Sequence, residues 1–184
     1  MSETVNRPGE SLTFEVIKGP DLTPDKRAAL VALCNRAYDE DVEPLLTTYA
    51  DPVHVIGFLG DKMVSHALWC TRWLSCDNGP LMRTAFVELV ATEPLFEGKG
   101  FASQVMHRLA REITDFELGA LWPNYPEWYG RLGWQMWRGP LFIRTDKGLL
   151  PTPDDMVMVL PLPKTPALNL DGALSAEWRE GELW

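Results

Sequence analysis

The chain has 184 residues, with 17 Lys and Arg against 26 Asp and Glu and a formal net charge of −9. That length predicts one domain, which buries roughly two-thirds of its unfolded surface and needs neither disulfides nor metal to do so. The acidity argues against a nucleic-acid binder or an anionic-membrane partner, and it suits a cationic substrate held in a negative cleft.

Three cysteines, Cys34, Cys70 and Cys76, form neither an even disulfide set nor a C-x-x-C zinc pair. The histidines, His54, His66 and His107, are scattered and read as structural, so no metal is expected. Residues 1–10 are polar and lack the apolar core of a signal peptide. No uncharged apolar run approaches the ~18 residues of a membrane helix. The expected compartment is a reducing cytoplasm.

Alternation over 13–18 predicts a first strand. Thr23, Pro24 and Asp25 then supply an N-cap, a first-turn proline and an acid, and Leu30, Leu33, Cys34 and Ala37 follow at helical spacing to about Tyr38. Residues 39–43 carry four acids and predict a loop or a short second helix. Runs 53–59 and 63–75 flank Gly60-Asp61 and predict a hairpin. Asn78-Gly79-Pro80 turns into 81–92, a strand apolar on both faces, as expected at the centre of a sheet. Ala102, Val105, Met106, Leu109 and Ile113 form one amphipathic stripe, so a helix follows residue 100. Strands over 116–121, 134–137, 141–145 and 156–162, and a short helix over 124–132, complete the pattern, with an extended tail over about 162–184. A β-α-β run after the hairpins predicts a mixed α/β sheet, mostly antiparallel, with one parallel crossover.

The sharpest local signal is Glu97-Gly98-Lys99-Gly100-Phe101-Ala102, placed between a long central strand and a helix. Two glycines there let backbone N–H groups converge without Cβ atoms in the way, and the helix dipole favours an anion such as pyrophosphate. A second signal is Glu88, a carboxylate inside an apolar strand. Burial costs a carboxylate free energy and raises its pKa toward that of a useful base. The alternative reading is a buried ion pair, with Arg83 or Arg72 as the partner.

The glycine segment resembles the acetyl-CoA loop Q/R-x-x-G-x-G/A of the GNAT acetyltransferases, with Glu97 standing where that pattern has Gln or Arg. Leu118-Gly119-Ala120-Leu121, Leu132-Gly133-Trp134, Thr152-Pro153-Asp154-Asp155 and the terminal 177–184 resemble, more narrowly, the aminoglycoside 2′-N-acetyltransferases. The likeness runs from about residue 50 to the end and is weak in the first forty residues. It implies a single GNAT domain over 1–184, acetyl-CoA as co-substrate and direct transfer to an amine in a ternary complex. It also implies a homodimer. The implied general base is Glu88, acting through water, and the implied proton donor to the leaving thiolate is Tyr129. Cofactor contacts fall to Val90, Thr92 and Glu97, Gly98, Lys99, Gly100, Phe101 and Ala102. The cationic acceptor falls to Asp39, Asp41, Glu88, Leu89, Trp122, Asp155, Glu182 and Trp184 with its carboxylate; Glu40 lies in the same acidic run. Two departures, Leu89 where a Gly is frequent and Trp122 in place of a small polar residue, keep two rivals open: a GNAT acting on another amine such as a polyamine or peptide amine, and a protein that binds acetyl-CoA or an aminoglycoside without turnover.

Overall fold

The computed structural model describes residues 11–184, so the reading of residues 1–10 lies outside the described residues. In chain order the elements are β1 (Thr13–Lys18), α1 (Pro24–Tyr38), α2 (Glu43–Leu46), β2 (Val53–Leu59), β3 (Lys62–Cys76), β4 (Met82–Thr92) and α3 (Phe101–Glu112). Then come β5 (Leu118–Leu121), α4 (Pro126–Arg131), β6 (Gln135–Met136), β7 (Leu141–Thr145), β8 (Gly148–Pro151), β9 (Met158–Pro161) and β10 (Leu174–Glu177).

Strands β1 to β4 form an antiparallel run, and β4 pairs with β5 in parallel across α3, the expected crossover. Beyond β5 the sheet continues through β9 to β6. Besides β4, the long β3 serves two further neighbours: its first part carries β2, and its far end carries β10 at Ser75 and Cys76. The C-terminal segment, expected as an extended tail, therefore contributes a strand between β3 and β7. Neither β8 nor β10 is foreseen from the sequence: β8 is exposed throughout and shows no alternation, and β10 exists through its pairing with β3 and β7, which local pattern does not show. The expected strand at 134–137 shrinks to two residues, Gln135 and Met136.

Helices cover both faces. The α1 N-terminus is capped as expected, with Thr23 Oγ1 accepting from the Lys26 amide at 3.3 Å. Its buried Leu30, Leu33 and Cys34 share an apolar cluster with Leu68, Cys70, Met82 and Phe86. Helix α3 buries Phe101, Val105, Met106 and Leu109 against Ala67, Trp69, Ala85 and Val87 on the opposite face. Even and odd residues of β4 thus face different layers, as the period of two requires. Each large apolar side chain so buried stabilises the fold by about 1.5–3 kcal/mol.

That alternation changes hand once. Leu68 opposes Glu88 and His66 opposes Ala91, so Ala67 alone faces Leu89 and Val90. The extra residue is a β-bulge, and it moves Leu89 and Ala91 onto the α1 face while Val90 packs against the α3 layer. Leu89 carries the bulge at φ +46°, a left-handed conformation that disfavours a side chain.

Candidate active site

The bulge lies where the central sheet opens. β4 and β5 are paired from Thr84 with Leu118 to Val87 with Leu121, and the pairing stops there. Glu88 to Thr92 continue along β3, whereas the chain after Leu121 leaves through Trp122 and Pro123 toward α4. Two clefts occupy the gap. Both are lined by Tyr38, Val90, Asn124 and Tyr129, so they meet at those residues.

The first cleft, about 780 Å³, runs from Val90 and Thr92 to the glycine turn. Gly98 and Gly100 have φ +73° and +80°, and apart from the adjoining chain nothing lies within 4 Å of the point where a Cβ would stand at either. The turn needs glycine for its backbone angles and leaves an open face. Gly100 caps α3 without a side-chain hydrogen bond, and Phe101, Ala102 and Ser103 line the cleft beyond it. Amide groups of a helix start facing open space fit an anionic group such as pyrophosphate. Glu97 is exposed and lines the same cleft. Lys99 does not line it; its ammonium stands 4.9 Å from the Phe96 ring, with Lys62 over the same ring at 4.6 Å.

The second cleft, about 590 Å³, is acidic: Glu40, Glu88, Asp155 and Glu182 line it, together with Leu89, Trp122 and Trp184. Glu88 is 8% exposed. Its partner is neither Arg83, which stacks on Phe116 at 3.9 Å, nor Arg72, whose guanidinium donates to the Leu183 and Glu177 carbonyls. It is Arg179 of the C-terminal segment, whose Nη2 donates to Glu88 Oε1 at 2.6 Å. The expected ion pair exists, then, but with a different arginine, because the terminal segment folds back over β4. Arg179 also donates through Nε to the Glu182 carbonyl at 2.5 Å and lies over the Phe86 ring at 5.3 Å. Burial pushes the Glu88 carboxyl up to about 7; the Arg179 charge and hydrogen bond hold it down against that, and Glu182 adds to the rise.

The acidic run of 39–43 reaches this cleft by one residue. Asp39 ends α1 in a left-handed conformation at φ 55°, and the Asp41 carboxylate accepts from the Glu43 amide at the start of α2. Neither lines the cleft; Glu40 between them does. Partial burial raises the Glu182 carboxyl, Arg179 lowers it, and the nearby Glu40 and Asp155 carboxylates raise it further. Trp184 is buried and its indole donates to Thr152 Oγ1 at 2.8 Å, which fixes the terminal residue as a wall.

Tyr129, on α4, is buried where the clefts meet, edge-on to Trp128. Burial and the neighbouring Glu88 charge both raise its phenol, so it holds its proton. Tyr38, at the end of α1, donates to the Val90 carbonyl at 2.9 Å. Sequence reasoning did not single out Tyr38, since its partner is 52 positions away; Arg179 went unmarked within an otherwise acidic terminal motif.

A sheet parted beside a glycine turn that opens a helix, with a buried carboxylate across the gap, defines an acetyltransferase architecture. The model of the Acetyltransferase (GNAT) domain matches residues 21–137, and the chain belongs to that family. It is similar to the aminoglycoside 2′-N-acetyltransferase of Mycolicibacterium fortuitum, at 26% identity over 185 aligned residues that cover 94% of this chain and 92% of that one. In fold it is similar to the GNAT family N-acetyltransferase YhbS of Escherichia coli, solved in complex with CoA, with a TM-score of 0.64 at 13% identity, covering 92% of this chain and 91% of that one. An acyl-CoA N-acyltransferase of Pseudomonas aeruginosa matches with a TM-score of 0.58 at 16% identity over 82% of this chain and 99% of that one.

Proposed function

We propose that this GNAT protein transfers acetyl from acetyl-CoA to a primary amine of a cationic small molecule, the 2′-amino group of an aminoglycoside foremost. The observation that carries the reading is a buried carboxylate, Glu88, in a cleft lined by three further acids and continuous at Tyr129 with the glycine cleft. The relative from Mycolicibacterium fortuitum supports the aminoglycoside as acceptor.

Acetyl-CoA would lie with its pyrophosphate on the amides that open α3 and its pantetheine arm along Val90 and Thr92; it supplies the activated thioester. Glu40, Asp155 and Glu182 draw ammonium groups into the acidic cleft. Glu88, with a pKa near 7, is ionised often enough at neutral pH to take a proton from the amine through water. Tyr129 keeps its proton until it gives it to the departing sulfur. The reading needs no acyl-enzyme: burial pushes the Cys34 and Cys70 thiols up to about 12 and about 11, which leaves them poor nucleophiles.

Leu89 and Trp122 line the acidic cleft as bulky apolar walls and favour a second reading, in which the amine belongs to a slimmer polyamine or peptide. The free thiols of Cys34, Cys70 and Cys76 support a reducing, cytoplasmic setting. The exposed β8 strand, with its own Leu149 and Leu150 and the exposed Trp178, supports a homodimer. Release of thiol from acetyl-CoA, followed across a panel of aminoglycosides and simple polyamines, tests the central proposal.

A further inference from the structure

Leu89 sits at φ +46°, which costs a non-glycine residue about 1–2 kcal/mol. Something must hold it there. The Leu89 carbonyl accepts from His66 Nδ1 at 2.9 Å, and His66 is fully buried. His66 Nε2 lies 3.0 Å from Nδ1 of His54, which is equally buried. Neither histidine lines the glycine cleft or the acidic cleft.

The protons in this chain of contacts are fixed by chemistry. A carbonyl oxygen has none to give, so the 2.9 Å bond to Leu89 requires the proton on His66 Nδ1, and the Cys34 sulfur, 3.7 Å from the same nitrogen, is the longer and weaker contact. Burial and the adjoining His54 hold His66 down to about 3, and burial with the Arg27 charge holds His54 down to about 4, so both rings are neutral. A neutral His66 protonated on Nδ1 offers a bare Nε2, and the His54 Nδ1 facing it must carry the proton of that hydrogen bond. Successive donors of this kind polarise one another and strengthen the last bond, the one to Leu89. The peptide joining Leu89 to Val90 is planar and trans, so turning the Leu89 carbonyl onto His66 points the Val90 N–H the opposite way.

We propose that His66, backed by His54, is a positioning residue: the pair clamps the Leu89 carbonyl, holds the bulge in its left-handed conformation, and so aims the Val90 N–H at the thioester carbonyl beside Glu88. The kinetic part rests on the acetyl-transfer reading; the clamp itself does not.

The two amide side chains separate the roles of the ring nitrogens. His66→Asn places an N–H where Nδ1 stands and keeps the bond to Leu89. His66→Gln places its amide near Nε2, keeping the contact with His54 and losing the clamp. The expected result is that His66→Asn holds kcat within a few-fold, while His66→Gln lowers kcat about 10²-fold with little change in KM. On a Leu89→Gly background, where glycine adopts positive φ without strain, the gap between Gln and Asn narrows. Equal losses in Asn and Gln that follow melting temperature, or a gap unchanged by glycine, overturn the proposal. A second readout needs no turnover: long-range ¹H–¹⁵N spectra of the wild-type protein should show both His66 and His54 protonated on Nδ1. A His66 protonated on Nε2 overturns the clamp whether or not the protein transfers acetyl. An inactive wild type with the expected tautomers overturns only the acetyl-transfer reading.

Discussion

Arg179 donates to the Glu88 carboxylate at 2.6 Å, and 91 positions of sequence separate the two residues. The pair joins the terminal segment to the middle of the central sheet. It also acts on the charge state of a carboxylate buried beside the sheet opening. Burial drives Glu88 toward its neutral form, and the guanidinium limits the rise, leaving the group near 7.

For Glu88 the consequence is a pH limb. If it takes the proton from the amine, kcat/KM rises with pH through an apparent pKa near 7 and levels off above it. Glu88→Gln should lower kcat/KM by about 10²–10⁴-fold and flatten that limb. Steady-state rates of thiol release between pH 5.5 and 9 check this; a limb that survives in Glu88→Gln removes Glu88 from the role.

Replacing Arg179 by Met takes away the partner that holds Glu88 down, so the apparent pKa of the limb should move upward. Stability follows the same sign. The folded Glu88 carboxyl lies above its ordinary value of 4.5, so its favourable contribution is complete below pH 4.5 and is lost as pH rises through about 7. In Arg179→Met that loss is larger and extends to higher pH, approaching the roughly 3–5 kcal/mol of a broken buried pair. Urea denaturation at pH 5 and pH 8 measures it: the variant should fall further below wild type at pH 8.

At the glycine turn, Gly100→Ala keeps the open space but must hold φ +80°, a strain of about 1–2 kcal/mol for a side chain. Calorimetry should show acetyl-CoA binding weakened by about tenfold, with the affinity for the amine unchanged. Unaltered acetyl-CoA affinity would detach the turn from the cofactor.

The acidic rim predicts a charge effect on the acceptor alone. Asp155→Asn combined with Glu182→Gln should raise KM for a polycationic amine and leave KM for acetyl-CoA in place. The difference between variant and wild type should shrink as ionic strength rises, because exposed charges are screened over about 10 Å at 0.1 M salt. Initial rates at low and high salt read both effects.

The β4–α3–β5 unit was legible in sequence because its signals are local: an apolar strand, a glycine pair and a helical stripe in immediate succession. Glu88 stood out for the same reason, as a charge in an apolar run. What escaped depends on distant chain. The bulge at Leu89 could not be read, since leucine gives no hint of positive φ and the residues that bond the Leu89 and Val90 carbonyls, His66 and Tyr38, come from β3 and α1. Arg179 was hidden because a return of the terminal segment through β10 brings it to Glu88. The choice of Glu40 over Asp39 and Asp41 turns on how α1 ends, a matter of one residue of register.

The most direct test is thiol release from acetyl-CoA by the purified protein with paired aminoglycosides that differ only in having a 2′-amino or a 2′-hydroxyl group, with the product located by NMR. The account predicts turnover with the 2′-amino member, acetyl on that nitrogen, and none with its partner. Equal turnover of both members, or acetylation confined to amines that are not part of a sugar, would contradict it.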